Sequence, residues 1–291
     1  LASGRNATAF GESTVGTMQN ATAFGQESAA LAKNATAFGV RTKALGQAST
    51  TWGDESIAPG KYATAFGEDS EAFSQDSAAW GSKTVAGIDK TDTKYTEYKE
   101  QLAVLREKEN QLKLLKKNGV TADILDSEGN VETKGSVSLE AEIREDEAAL
   151  TAKYADLKNL GKAATAFGEN TNAIGTGSTA WGSKSVATGK YSTAFGESSK
   201  AYGQNSIAGL GGTTGTADIN ATGAISIGKG SVAQEANNIA LGQKAKATGT
   251  NTIAIGVVDE NGKGSTAKGA NSIAIGTANT VNGTNSIAIG T

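Results

Sequence analysis

The chain has 291 residues, 38 of them glycine, with 37% hydrophobic and only 5% aromatic residues. Side chains this small cannot fill a conventional globular core, yet charge is moderate and the apolar positions recur regularly, so neither an ordinary globule nor a disordered chain is expected. A formal charge of −3 with no basic cluster argues against nucleic acid as a partner, and the lack of any Cys or His excludes thiolate and imidazole catalysis together with Cys or His metal ligands.

From its first residues the chain keeps a fixed period. The string Asn6–Gly11, "NATAFG", returns at Asn20 and Asn34. Glycines recur every fourteen residues at Gly11, Gly25, Gly39, Gly53, Gly67 and Gly81, at Gly168, Gly182 and Gly196, and at Gly228, Gly242 and Gly256, with Gly276 and Gly290 a further such pair. That count gives fourteen coils. A catalytic site is built once, whereas a unit repeated at constant spacing is a building element.

The four residues before each glycine alternate. Small residues (Ala7 and Ala9, Ala35 and Ala37, Ser272 and Ala274) occupy one face, and larger ones (Thr8 and Phe10, Thr50 and Trp52, Ile273 and Ile275) occupy the other. Period two means a strand with two unlike faces. After the glycine, Ser28 and Ala30, Thr42 and Ala44, or Ser70 and Ala72 repeat the small face on a second short strand. Two strands and two tight turns per coil make a narrow parallel β-roll, a mainly β solenoid of 14-residue coils. A coil this short closes only around a lumen of Ala, Ser and Thr. Each glycine supplies the positive φ of a sharp turn, so a Gly to Val change there should break a coil.

The larger face is then left outside as one stripe: Phe10, Phe24, Phe38, Trp52, Phe66, Trp80, Phe167, Trp181, Phe195, Ile227, Leu241, Ile255, Ile275 and Ile289. Each such side chain is worth about 1.5–3 kcal/mol when buried, and one chain cannot bury the row. Identical stripes from parallel copies of the chain would bury one another, which predicts a homo-oligomer and leaves the number of subunits open.

The roll divides into coils over 1–86 and 161–291, separated by an insert at 87–160. Trp80–Ala86 "WGSKTVA" parallels Trp181–Ala187 "WGSKSVA", so excising the insert nearly restores the period. Within it, Tyr95, Tyr98, Leu102, Leu105 and Leu112 predict an amphipathic helix from Asp89 to Lys117, stopped at Asn118-Gly119. Leu139, Ile143, Leu150 and Leu157, with Tyr154, predict a second helix running to Leu160. The pair should form an antiparallel helical hairpin. Ile124–Glu132 between them reads as a β-hairpin turning at Glu128-Gly129. Oxygens of Asp126, Ser127, Glu128 and Asn130 invite a calcium reading that the missing Asp-rich twelve-residue loop opposes. Further on, the Gly-rich stretch 208–223 reads as an exposed loop, since it lacks the lysine and helix start of a phosphate cradle. Val257–Ser265 reads as a short protruding turn around Asn261-Gly262.

"NSIAIGT" at Asn271–Thr277 and Asn285–Thr291, "NTIAIG" at Asn251–Gly256 and the variant "NATAFG" resemble the head repeats of trimeric autotransporter adhesins of Gram-negative bacteria, the Yersinia-adhesin type. The resemblance covers about three quarters of the chain. It implies a left-handed roll, a homotrimer, and a bacterial cell-surface location in the outer membrane. A coiled-coil stalk and a C-terminal barrel anchor, expected in the longer protein from which this chain is cut, would provide the sole membrane attachment. The ligands it implies are host extracellular matrix proteins (collagen, fibronectin, laminin) or an immunoglobulin-like receptor such as a carcinoembryonic-antigen-related cell adhesion molecule. No cofactor or metal is implied. Thr with Phe or Trp stands in the first nine coils where the family more often has Val or Ile with Ile, which suggests altered axial packing there.

Recognition can be written on residues that vary on a rigid scaffold. Positions four and six past the glycine, such as Leu31, Lys43, Leu45, Ile57, Phe73, Ile174 and Tyr202, should point outward on the second strand, unless neighbouring subunits cover them. Ile57, Phe73 and Tyr202, with Tyr95 and Tyr98 of the insert, are the candidate ligand contacts. A passive spacer without a ligand is the rival function. The Asn-Ala-Thr sequons at Asn6, Asn20, Asn34 and Asn220 are read as turn asparagines. The threonine column at Thr8, Thr22, Thr36, Thr50 and Thr64 has aromatic neighbours, which favours an interface over an ice-binding plane. The carboxylates Glu68 and Asp69, and Glu145 to Glu147, are read as solvated rather than as an acid–base pair.

Overall fold

A computed structural model describes residues 1–89, 92–125, 131–155 and 161–290, without the side chains of several residues in the helices and the short β-hairpin. The chain separates into two units, one of Leu1–Ile88 with Lys158–Thr291 and one of Asp89–Leu157.

The first unit is a parallel solenoid of two sheets, one of fifteen strands and one of fourteen, each taking one strand from every coil in chain order. Coils stack in register, with Thr22 opposite Thr36, Ala23 opposite Ala37 and Phe24 opposite Phe38. The stack continues across the insert: Trp80 pairs with Phe167 and Val85 with Asn172. There the Ser74 hydroxyl donates to the Gly161 carbonyl at 2.7 Å.

The lumen holds the small face. Ala23, Ala37, Ala65, Ala166, Ala194, Ala240 and Ala274 are completely buried. Alanine brings little apolar area, so the roll depends heavily on backbone pairing between coils and on lumen hydroxyls. Ser28 donates to the Gly39 carbonyl, Ser56 to Gly67 and Ser265 to Gly276, each at 2.6 Å. These bonds satisfy polar groups inside a space with little room for anything else.

Both turns use left-handed backbone. Asn6, Asn20 and Asn34 have φ of 58°, 57° and 60°, and Glu27, Arg41 and Glu55 lie between 51° and 56° at the opposite turn. Asparagine tolerates this region better than most residues. At Gly39, φ is +128°, and a Cβ would sit 1.9 Å from the Gly53 carbonyl oxygen. No side chain fits there.

The fifteenth first-sheet strand corrects the count of fourteen coils. Ile207–Gly209 and Thr213–Thr214 form a full coil inside the stretch expected to be an exposed loop, leaving only the excursion after Thr214 as loop. The period was hidden by an exchange of neighbours. Gly209 takes the aromatic position, opposite Phe195, and Leu210 takes the glycine position, with φ 52° and its N–H on the Phe195 carbonyl. Phe195 leans over Gly209, where a Cβ would approach its Cζ to 2.1 Å.

The second unit holds helix α1 (Thr93–Lys117) and helix α2 (Ser136–Ala155), with two short antiparallel strands, Ile124–Leu125 and Val131–Thr133, between them. Asp92 caps α1 by accepting the Lys94 N–H at 2.8 Å, which places its start at Thr93, four residues after the predicted one. Gly119, at φ +71°, ends it. Ion pairs Lys116–Glu140 and Lys108–Asp146 run in opposite chain order, so the helices are antiparallel. Tyr98, Leu102, Leu105, Leu139 and Ile143 are buried. Leu157, Leu160, Asp126, Ser127, Glu128, Gly129 and Asn130, and the side chains of Leu150 and Tyr154, lie outside the described residues.

Candidate interaction surface

In-register stacking converts one large residue per coil into a continuous column on the outer face of the first sheet. Neighbouring rings from Phe10 to Trp181 lie 5.0–6.3 Å apart, with Phe24 and Phe38 the closest and nearly parallel at 2°. Ring stacking covers part of each ring and adds about 0.5–1.5 kcal/mol per pair. The rest stays in water: Phe10 is 69% exposed, Trp52 52%, Trp181 60% and Ile289 73%. Phe66, Trp80 and Phe167 are exposed as well, while Phe24, Phe38, Phe195, Ile227, Leu241, Ile255 and Ile275 are half-buried. The column changes from aromatic to aliphatic at Gly209, where the outer position is empty.

The candidate ligand contacts divide. Ile57 and Phe73 are 0% and 2% exposed and Tyr98 1%, whereas Tyr95 and Tyr202 are half-buried. The expectation that positions four and six past the glycine face solvent therefore fails for Lys43, Leu45, Ile57 and Phe73, all of them buried. Alternation assigns a side chain to the outer face of a strand, but it does not say whether that face is wet. A ligand can reach only Tyr95 and Tyr202 of the five without the chain opening.

The helical unit brings together charges that the sequence reading did not single out. Lys108 donates to Glu142 at 2.5 Å and to Asp146 at 2.6 Å, and Lys134 pairs with Glu142 from the other side. Glu142 is pulled down from the usual 4.5 to about 2, first by its hydrogen bond from Lys108 and then by that from Lys134. Lys108 is pushed up by its bonds to Asp146 and Glu142. Asp123 is lowered, chiefly by the Gly135 N–H at 2.7 Å and also by the Ser138 hydroxyl at 2.8 Å. This meeting depends on how two helices register, which no local pattern encodes. Beside it an open cleft of about 470 Å³ is lined by Leu114, Leu115, Leu139 and Gln111, with Lys108, Lys134 and Glu142 also on its wall.

Two further motifs resolve into architecture. Asparagines of the first turn form a side-chain ladder, Asn6 to Asn20 at 3.3 Å and Asn20 to Asn34 at 3.0 Å, resumed from Asn237 through Asn285. At Asp259 the side chain accepts the N–H groups of Asn261 and Lys263 and ties the protruding turn. Among the described residues, no group of three or more carboxylates is placed to hold a metal ion, and no helix is long and apolar enough to cross a membrane.

A family model described as the YadA head domain repeat (2 copies) matches residues 17–42, 58–84, 160–186, 187–208, 239–257 and 261–291, together more than half of the chain. No curated protein matches it.

Proposed function

Because the chain belongs to the YadA head family, an adhesin-type surface protein, we propose that it is the trimer-forming head of a trimeric autotransporter adhesin and binds a host extracellular matrix protein or an immunoglobulin-like host receptor. Proteins of this family are outer-membrane surface autotransporters of Gram-negative bacteria, in general non-enzymatic, and generally form homotrimers.

The observation that carries the reading is the exposed column from Phe10 to Ile289. A row of aromatic and branched side chains this long on a rigid face is an aggregation surface unless copies of the chain cover it. Three columns round one axis would bury it and display three identical outer surfaces, so a weak site on each chain would act with avidity. Tyr95 and Tyr202 are the ligand contacts in this reading, because both retain exposure.

The experiment is a binding screen of the purified head against collagen, fibronectin, laminin and immunoglobulin-like receptor ectodomains, with Tyr95→Ala and Tyr202→Ala in parallel. Saturable binding that weakens in either variant is the expected result. A head that is trimeric by light scattering but binds none of these would turn the reading toward a passive spacer.

A further inference from the structure

Three stretches of the roll repeat one pattern: Lys61–Glu68 "KYATAFGE", Lys162–Glu169 "KAATAFGE" and Lys190–Glu197 "KYSTAFGE". In each, the lysine lies on the turn that leads into a first-sheet strand, and the glutamate stands at or just past the far end of that strand, seven residues on. A strand rising about 3.3 Å per residue sets the two charges roughly 20 Å apart, so one chain cannot join them. Among the described residues none of the six makes an ion pair within its own chain, and all are exposed except the half-buried Lys61. Between the two charges stands the column residue of the same coil, Phe66, Phe167 or Phe195.

Stacking carries this asymmetry along the roll. Over the seven coils marked by Gly39 to Gly196, the leading turn holds Lys33, Lys61, Lys162 and Lys190 against Asp76 alone. The trailing turn holds six carboxylates, Asp54, Glu55, Glu68, Asp69, Glu169 and Glu197, against Arg41, Lys83 and Lys184. Of these cations, Arg41 is held by Asp54 and Glu55. Both edges are fixed by hydrogen bonds between coils. The carbonyls of Lys61, Lys162 and Lys190 accept the N–H groups of Asp76, Gly177 and Asn205, and those of Glu68 and Glu169 accept from Lys83 and Lys184. The Lys61 ammonium lies 4.8 Å from the centre of the Tyr62 ring and that of Lys190 5.1 Å from Tyr191, with both rings exposed on the same edge. A basic edge and an acidic edge on one rigid body complement each other and not themselves.

An edge that fits only the opposite edge makes head-to-tail contacts, and a pure rotation closes these into a ring in which equal coils stand at equal height. We propose, resting on the homotrimer reading above, that the leading edge of each subunit docks against the trailing edge of the next copy of the chain. Lys61 then pairs with Glu68, Lys162 with Glu169 and Lys190 with Glu197 of the neighbour. The one acid of the leading edge obeys the same step with its sign reversed: Asp76 comes level with Lys83, again seven residues on. A slip of one coil in either direction would set Lys162 against the turn that holds Lys83 or Lys184, and Asp76 against Glu68 or Glu169. The apolar column draws chains together, and the edges decide the height at which they pack, since like charges brought together penalise every neighbouring register.

The test uses the 291-residue chain, which has no cysteine, and a bismaleimide too short to span one chain's own pair. Lys162→Cys with Glu169→Cys in the same chain should yield covalent dimers and trimers on a denaturing gel, while either single variant stays at the mass of one chain. In parallel, Lys61→Glu, Lys162→Glu and Lys190→Glu together should lower the melting temperature of the assembly at low salt. Adding Glu68→Lys, Glu169→Lys and Glu197→Lys to that variant should recover most of the loss, because the pairs re-form with signs exchanged; a merely local role on each edge would instead add the two losses. A single-chain mass in light scattering would overturn the trimer reading and the pairs with it. A trimer in which the double-cysteine chain does not cross-link, or in which reversal of both edges is worse than reversal of one, would overturn the pairs alone.

Discussion

Thr51 stands in the lumen where Ala37 and Ala65 occupy the same register in the coils on either side. It is completely buried, and its hydroxyl makes no hydrogen bond. Other polar lumen residues do better: Thr214 reaches Ser206 at 2.9 Å and Ser226 meets Ser231 at 2.8 Å. A buried, unmet hydroxyl costs about 1–3 kcal/mol, and valine has the same shape without it. Thr51→Val should therefore stabilise the roll by about 1 kcal/mol, read as a higher midpoint in denaturant unfolding; a lower midpoint would show that the hydroxyl is used. Gly39→Val has the opposite sign. Its Cβ would overlap the Gly53 carbonyl oxygen, at 1.9 Å, in backbone of φ +128°. No rotamer relieves a clash with backbone, so a loss of at least about 3 kcal/mol is expected in the same measurement.

At the scale of elements, the helical pair is held partly by charge. Glu142, at about 2 in the folded chain against the usual 4.5, binds its proton more weakly folded than unfolded. Its contribution is therefore complete above pH 4.5 and is lost as pH falls toward 2. Asp123, also lowered, acts in the same direction. The helical far-UV signal should melt at lower temperature through this acid window. Glu142→Gln should flatten the dependence and destabilise the helices at neutral pH by about 1 kcal/mol, the scale of a partly exposed ion pair; an unchanged acid slope would remove Glu142 from the account. What the sequence disclosed of these elements follows from range. Coil strands, turns and the α1 stop at Asn118-Gly119 are written in neighbouring residues and could be read. The coil at Ile207–Gly209 escaped because Gly209 and Leu210 exchange the two residue types that mark the period. The burial of Ile57, Phe73 and Tyr98 escaped because local periodicity assigns a side chain to a face without saying whether that face is covered.

For the whole molecule, the proposed assembly rests on the exposed column. One column side chain buried between subunits is worth about 1.5–3 kcal/mol, and the column holds one on almost every coil, so the total far exceeds what any single substitution removes. Trp181→Glu should consequently leave the oligomer intact at micromolar concentration. It should lower the melting temperature, because every subunit carries the buried carboxylate at the same level and the charges repel. Replacing Phe24, Phe38, Trp52 and Phe66 together by glutamine removes four consecutive rows of the nine aromatic ones and, in register on every chain, should fray that end first. Limited proteolysis would then cut within the first coils while the C-terminal aliphatic coils stay protected. Light scattering decides between this and an autonomous roll: a wild-type chain that is monomeric and soluble with Phe10, Trp52, Trp181 and Ile289 as exposed as they are in the single chain would mean that the column is not an interface. A mass that is a multiple of the chain's, retained in Trp181→Glu, with cleavage confined to the first coils in the fourfold variant, is the outcome that in-register packing requires.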